Sequence, residues 1–299
     1  VPREAHIVHL ADRISVLTSD PNLVLETAPK ICERIAAKKG SAFVPEYVDA
    51  FLELAQKESF WLDIVSTSLD KILSKELENV TLELSLEELV DISRIFSRIV
   101  DFRSPVNAAH SSGVASSAEL LSGKLGFTET KSTLMLVAGY FHDIGKLTVP
   151  PEILNKPAKL TKAEWRIMRA HSYYTYQVLE YIDDLPQLKE WAAYHHEKLD
   201  GTGYPFQLRA DELSTGARIM SVADIFTAIT EDRPYRKGMN KIQVTEVLTG
   251  QVRENKIDGD IVAVLLDNYE YINRLRVKAQ LRSMNDYQDF RLLALSQSS

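Results

Sequence analysis

Five of the seven histidines in this sequence of 299 residues lie within a stretch of 87 residues. They are His110, His142, His171, His195 and His196. A single histidine in a helical segment is more often a surface or core residue than a metal ligand. Five of them, in groups separated by about one helix–loop–helix each, are hard to explain by composition. Imidazoles in this number and spacing predict a metal site.

Two aspartates extend this set. Asp143 follows His142 directly, and Asp224 lies in the apolar run RIMSVADIFTAI, where an unpaired carboxylate would be costly to bury. Seven candidate ligands are more than one ion uses. Two ions about 3.5 to 4 Å apart, bridged by a carboxylate, use this number and suit hydrolysis of phosphodiesters. The residues therefore predict a binuclear hydrolytic site.

The donor atoms limit the choice of metal. Cys32 is the only cysteine, so the chain forms neither an internal disulfide nor a thiolate cluster, and a reducing, cytoplasmic location is expected. Imidazole and carboxylate without thiolate suit Fe, Mn, Zn, Co or Ni, and the residues alone do not choose among them.

Charge and hydropathy exclude two classes of partner. The net charge of −7 argues against broad binding to DNA or RNA, which needs a cationic surface. A small phosphate ligand needs only a few cations in a cleft, so it stays compatible with this charge. No stretch approaches the roughly 18 to 20 apolar residues of a membrane-spanning helix, so no membrane segment is expected in this chain.

The elements that carry these residues are predicted to be helices. Apolar residues recur at three- and four-residue spacing, as at Leu134, Val137 and Phe141, and strand-like alternation is rare. Proline and glycine cluster at a few places, including Pro150–Pro151 and Gly201 to Pro205, which predicts loops there. The fold class is therefore expected to be all-α.

A domain boundary is predicted near Ser85, where SLEEL has the pattern of a helix N-cap. This divides the chain into residues 1–84 and a catalytic region, 85–299. Ala5–Asp20 aligns with Ala217–Asp232 but lacks the histidine set, so the first region is interpreted as a non-catalytic, degenerate second copy. A chance match between two amphipathic helices is the alternative.

Three sequence blocks resemble the HD-GYP family of cyclic-dinucleotide phosphodiesterases, a branch of the HD hydrolases. They are Phe141–His171 (beginning FHDIGK), His195–Pro205 (HHEKLDGTGYP) and Val222–Arg236 (VADIFTAITEDRPYR). The blocks occur in family order with family-like gaps, between about His110 and Met239. The resemblance implies an HD-type helical bundle, with residues 1–84 as a degenerate HD-like copy.

The resemblance also implies a ligand set for two divalent transition metals. One ion would be held by His110, His142, Asp143 and Asp224, and the other by Asp143, His171, His195 and His196. Fe or Mn is expected first, with Ni, Co or Zn as alternatives, and a hydroxide shared by the ions would attack phosphorus. Some family members hold a third ion with a Glu four residues before the first His. Val106 stands there in this sequence, so two ions are expected.

Further roles follow from the same resemblance. Lys146, one turn after His142, is expected to bind a phosphate oxygen or assist the leaving group, and Asp143 and Lys146 are the expected catalytic residues. Arg233 and Arg236 resemble phosphate-binding cations, to which a guanidinium is well suited. Gly201, Gly203, Tyr204 and Pro205 resemble the GYP loop of the family. Tyr204 of this loop is expected to contact substrate, by stacking on a base, or to hydrogen-bond within the loop.

Two acidic residues follow His195 and His196 closely in the sequence. Glu197 and Asp200 are expected to orient the ligating imidazoles, because such histidines usually donate their second N–H to a neighbouring acceptor.

The function implied is hydrolysis of a cyclic dinucleotide, cyclic di-GMP to linear pGpG, with further cleavage to GMP left open. Three alternatives remain: a phosphodiesterase selective for 3′,3′-cyclic GMP-AMP, another HD-type phosphohydrolase acting on nucleotides, and a catalytically weak sensor of the messenger. The N-terminal region is the expected surface for a homodimer or a regulatory partner.

Overall fold

The structure, a computed structural model, describes residues 3–18, 23–65, 83–104, 109–180, 182, 185–232 and 237–296. Within these ranges the regular elements are α-helices and short 3₁₀ turns, which confirms the all-α prediction. None of the helices in the described part combines the length and apolar content that crossing a bilayer requires.

Contacts along the chain divide it into two compact units, Val1–Glu83 and Leu84–Ser299. The first unit contains helices α1 (Arg3–Leu17), α2 (Val24–Ala36), α3 (Pro45–Leu54) and α4 (Glu58–Ile64). It has a core of its own, in which Ile35, Val48 and Trp61 are almost completely buried. That this unit is a degenerate copy of the second stays a prediction.

The second unit carries the candidate site. Its helices are α5 (Leu86–Asp101), α6 (His110–Lys124), α7 (Glu129–Phe141), α8 (Pro151–Leu154), α9 (Lys162–Leu179), α10 (Pro186–Ala193), α11 (Thr215–Thr230), α12 (Lys241–Arg253), α13 (Gly259–Asp267) and α14 (Tyr269–Ser296). A 3₁₀ turn, Ile144–Thr148, follows α7. The helix predicted after Ser85 begins at Leu86, with Ser85 as its N-cap in a capping box with Glu88.

Helices α6 and α7 form an antiparallel hairpin that places two histidines side by side. His110 begins α6 and His142 follows the last residue of α7, and their rings lie 5.6 Å apart. The two helices approach closely at Gly139, where an added Cβ would lie 2.4 Å from the Cα of Ala115. Glycine is therefore needed at this position for the hairpin to close.

Helix α11 runs through the centre of the unit and is buried on most sides. Ile219, Met220, Val222 and Phe226 are completely buried in the shared core. Asp224 is buried on the same helix, with 8% of its surface exposed, so its carboxylate needs a partner inside the protein.

Helix α9, which carries His171, begins with a capping box. The Thr161 hydroxyl accepts the N–H of Glu164, and the Glu164 carboxylate accepts the N–H of Thr161 at 2.7 Å. Thr161→Ala is expected to lower the free energy of unfolding of the second unit by about 1 kcal/mol, because a first-turn N–H loses its acceptor. Urea denaturation measures this change. Thr245→Ala, inside α12, is the control; an equal loss in both variants would contradict the capping role.

Candidate metal centre

The seven predicted ligands come from five places in the second unit and meet at one point. They are His110 at the start of α6, His142 and Asp143 after α7, His171 in the middle of α9, His195 and His196 after α10, and Asp224 in α11. His196 is half-buried and the other six are buried. The structure therefore brings together every residue that the sequence suggested as a ligand.

The donor atoms form overlapping sets whose members all lie within 4.8 Å of one another. One set is His110, His142 and Asp224, another is His171, His195 and His196, and a third is His142, Asp143 and His195. The Asp143 carboxylate lies between the sets: Oδ2 is 3.2 Å from Nε2 of His142, and Oδ1 is 3.3 Å from Nε2 of His171. Asp143 thus has the position of a bridging group.

Hydrogen bonds to the main chain determine where three of the imidazoles carry their proton. The Nδ1 atoms of His142, His171 and His195 lie 2.7 to 2.8 Å from the carbonyl oxygens of Gly139, Met168 and Ala192, respectively. A carbonyl oxygen only accepts, so each Nδ1 is the donor and the Nε2 atom of the neutral ring carries a lone pair.

These lone pairs face other acceptors. Nε2 of His195 lies 3.3 Å from Nε2 of His171, and Nε2 of His142 faces the Asp143 carboxylate. The buried Oδ1 atom of Asp143 accepts no hydrogen bond from the residues that the structure describes. Acceptors turned towards one another in a buried space repel unless a cation lies between them. The arrangement therefore fits a bound metal.

Burial favours the ligating form of the imidazoles. It lowers the pKa of His171 to about 4 and that of His196 to about 3, and burial together with His196 holds the pKa of His195 well below its ordinary value. These rings are neutral near pH 7. Burial alone would raise the pKa of Asp143, but its contact with His142 and the charge of Lys146 keep it well below its usual range. The carboxylate is therefore ionised.

His110 differs from the other histidines because both of its ring nitrogens face carboxylates. Its Nε2 lies 3.1 Å from Oδ1 of Asp224 and its Nδ1 lies 3.0 Å from Oε2 of Glu231. Burial opposes a charge on this ring, but the two carboxylates raise its pKa well above the ordinary value. Gln280 of α14 donates to the same Glu231 oxygen at 3.1 Å, which links the last helix to the site.

Lys146 lies where the sequence predicted, in the same cleft. Its Nζ is 2.5 Å from Oδ2 of Asp143. Burial alone would lower the pKa of this amine, but the charge and hydrogen bond of Asp143, together with the nearby carboxylates of Asp224 and Asp101, raise the pKa of Lys146 above its ordinary value, so the ammonium stays protonated. It is a fixed positive charge at the edge of the donor set.

The 3₁₀ turn that follows the His142–Asp143 pair packs closely against α9. An added Cβ on Gly145 would lie 1.9 Å from the carbonyl oxygen of His171. Thr175, one turn after His171, accepts the N–H of Gly145 at 3.1 Å and donates to the carbonyl of His142 at 3.0 Å. The His142–Asp143 pair and His171 are therefore fixed relative to each other through main-chain contacts.

The GYP loop is organised by Glu197, in a role other than the predicted one. Its carboxylate accepts the N–H groups of Phe206, Gln207 and Leu208 at 2.7 to 3.2 Å, so it orders the loop and does not orient an imidazole. Asp200 likewise accepts from the N–H and hydroxyl of Thr202. The prediction was wrong because main-chain carbonyls orient His142, His171 and His195, and a carboxylate that is near a histidine in the sequence need not contact it in the fold.

Tyr204 lies next to the donor set. The centroid of its ring is 4.8 Å from that of His196 and 4.3 Å from the guanidinium carbon of Arg169. A cavity of about 400 Å³ is lined by His195, His196 and Tyr204. The predicted phosphate contacts Arg233 and Arg236 lie outside the described residues, as does Val106.

Three contributors to the site were not predicted from the sequence: Glu231, Gln280 and Asp101. Glu231 follows the last residue of α11, seven residues after Asp224, and an acid at this spacing from a buried aspartate is the signal that would have revealed it. Asp101 accepts the N–H and hydroxyl of Ser111 at the start of α6, and burial raises its pKa to about 7. Nothing in the local sequence marks Asp101.

Comparison with known proteins gives a consistent family match. A family profile described as HD domain matches residues 94–261. A 3′3′-cGAMP-specific phosphodiesterase of Vibrio cholerae is 30% identical over 284 residues, covering 92% of this chain and 66% of that protein. A cyclic di-GMP phosphodiesterase of Pseudomonas aeruginosa is 46% identical over 105 residues, covering 35% of this chain and 25% of that protein.

One solved structure also aligns well. A cyclic GMP-AMP specific phosphodiesterase of V. cholerae matches with a TM-score of 0.50 and 30% identity, over 81% of this chain and 56% of that one. The chain thus spans between a quarter and two thirds of the length of the relatives described here.

Proposed function

Because this chain belongs to the HD domain family, we propose that it is a metal-dependent phosphodiesterase that hydrolyses a cyclic dinucleotide. The observation that carries the proposal is the convergence of seven buried or half-buried imidazole and carboxylate groups, whose donor atoms lie within 4.8 Å of one another in three overlapping sets. Such a donor set has the composition of a hydrolytic metal centre without thiolate.

Two divalent transition metals would be held in this proposal. His110, His142, Asp143 and Asp224 would bind one, and Asp143, His171, His195 and His196 the other. When bound, such ions lower the pKa of water and neutralise the charge that develops on phosphate oxygens. Asp143 would join the two sites, and its low pKa keeps both carboxylate oxygens available.

The other residues of the cleft would act on the substrate. Lys146, protonated beside Asp143, would bind a phosphate oxygen or stabilise the ribose oxygen that leaves. Tyr204, beside His196, would contact a base, and Arg233 and Arg236 would bind phosphate as the family resemblance implies. The product would be a linear dinucleotide, because hydrolysis of one of the two phosphodiester linkages opens the ring.

Two substrates are candidates, and the alignments favour 3′,3′-cyclic GMP-AMP. The relative specific for cyclic GMP-AMP aligns over 92% of this chain, whereas the cyclic di-GMP phosphodiesterase aligns over 35%. Resemblance along nearly the whole chain supports cyclic GMP-AMP as the preferred substrate, with cyclic di-GMP as the alternative.

The test combines metal analysis with hydrolysis. The purified chain would be stripped with a chelator, reloaded separately with Fe, Mn, Ni, Co or Zn, and assayed with cyclic GMP-AMP and cyclic di-GMP. About two ions per chain, a linear dinucleotide product and loss of activity in the stripped protein are the expected results. Tight binding of the dinucleotide without turnover under every metal would contradict the enzyme and support the sensor alternative.

Glu231 provides a prediction about metal affinity. Because it accepts from Nδ1 of His110, Glu231→Ala is expected to weaken binding of the ion at His110 by about 10- to 100-fold, the usual effect of removing such a partner. Competition with a chromophoric chelator measures this affinity. Glu246→Ala, on the exposed face of α12, is the matched control, and an unchanged affinity in Glu231→Ala would show that His110 is oriented by other contacts.

A further inference from the structure

A second cavity lies beside the GYP loop and combines arginine with tyrosine side chains. It has a volume of about 340 Å³, within the range of about 300 to 1,000 Å³ that is usual for ligand pockets. Helix α9 contributes Arg166, Arg169, Tyr173 and Tyr174, and Tyr204 lies opposite them. Their spacing of three, four and one residues places the α9 side chains on one face of the helix. We refer to it as the arginine–tyrosine cavity.

The cations of this cavity are available to a ligand. Arg166 is exposed, and Arg169 is half-buried with its guanidinium 4.3 Å from the ring centroid of Tyr204. Tyr173 and Tyr174 are 42% and 39% exposed, which is high for rings that could pack in the core. In a chain with a net charge of −7, two guanidinium groups beside exposed rings form a local site for an anionic, aromatic ligand.

Tyr204 connects this cavity to the candidate metal centre. Its ring lies 4.8 Å from that of His196, while the Arg169 guanidinium lies 4.3 Å from its centroid. The cavity therefore begins one side chain away from the donor set. A cyclic dinucleotide has a second phosphate across its ring from the bond that is cut, with the two nucleosides between the phosphates, so a ligand held at the metals would extend in this direction.

We propose that the arginine–tyrosine cavity binds the half of the cyclic dinucleotide that is not hydrolysed. Arg166 and Arg169 contact its second phosphate, and Tyr173 and Tyr174 stack on its base. This inference rests on the proposed function. Guanidinium groups suit phosphate oxygens, and stacking on tyrosine accepts any base, so the cavity contributes affinity for dinucleotides as a class.

The test uses two substrates that differ in whether they have a second half. With the cyclic dinucleotide, Arg166→Ala and Arg169→Ala are each expected to raise KM about tenfold with little change in kcat, because a charged contact far from the reacting atoms is lost. With bis(p-nitrophenyl) phosphate, a phosphodiester that has no second phosphate and no nucleobase, both variants are expected to match the unmodified chain. Lys162→Ala, at the start of the same helix, is the control.

Each other outcome has a separate meaning. An unchanged KM for the dinucleotide in both variants would overturn the inference, as would a parallel loss on both substrates, which would place the effect at the reacting centre or in the fold. If the unmodified chain cleaves bis(p-nitrophenyl) phosphate but no cyclic dinucleotide, the proposed function fails instead. Equilibrium binding of the dinucleotide to the same variants would then decide the role of the cavity.

Discussion

Asp143→Asn is expected to lower the rate of phosphodiester hydrolysis by at least about 10³-fold and to leave fewer than two ions per chain. The substitution keeps the size of the side chain but removes the charge that lies between the two histidine sets. Metal ions contribute several kcal/mol to such reactions, and each 1.4 kcal/mol corresponds to a factor of ten. Metal content and turnover would be measured on the same preparation.

The matched control is Asp267→Asn, which removes an exposed carboxylate at the end of α13. It is expected to keep both ions and full activity. His142→Ala provides a second variant at the site, because it removes one donor and leaves the Asp143 carboxylate in place. Full activity with two ions in Asp143→Asn would contradict the bridging role, whatever the effect of His142→Ala.

Gly145→Ala is expected to have the second largest effect, although it removes no donor atom. The added Cβ would lie 1.9 Å from the carbonyl oxygen of His171 and 2.7 Å from the backbone nitrogen of Thr175. Main chain does not yield as a flexible side chain does, so the 3₁₀ turn must move away from α9. We expect a loss of roughly 3 kcal/mol in the free energy of unfolding, at the upper end of overpacking effects, and loss of metal binding.

Gly250→Ala is the control for this substitution. Its Cβ would meet no atom within 4 Å, and the position lies inside α12. Alanine is there expected to stabilise the helix by about 0.5 to 1 kcal/mol, the usual difference between the two residues. In thermal unfolding, the Tm is therefore expected to fall for Gly145→Ala and to rise for Gly250→Ala. Equal Tm values with two ions retained in Gly145→Ala would show that the turn and α9 are not tightly coupled.

Sequence patterns predicted the donor set because its members are of unusual types in unusual places. Asp224 in an apolar run and histidines one motif apart are visible without any structure. The partners of the donors were not predictable in this way. Glu197 stands beside the HH pair but binds the GYP loop, and the groups that orient three of the histidines are main-chain carbonyls, which every residue has.

The fold was predictable to the same depth. Helical spacing of apolar residues gave the all-α class, and the capping pattern at Ser85 gave the start of α5. Close approaches between elements were not predicted, because they depend on the distance between two backbones. Gly139 and Gly145 look like ordinary glycines in the sequence, yet each lies where another main chain leaves no space for a Cβ.

The seven donors come from helices that are far apart along the chain, and this has a thermodynamic consequence. Unfolding separates His110 from Asp224 by 114 residues of flexible chain, so the unfolded state would bind the proposed ions poorly. Ions that bind only the native state shift the folding equilibrium by mass action, by about 2.7 kcal/mol when their free concentration is 100 times Kd. The melting temperature of the second unit should therefore rise with the logarithm of metal concentration, so that metal supply also determines how much of the chain is folded.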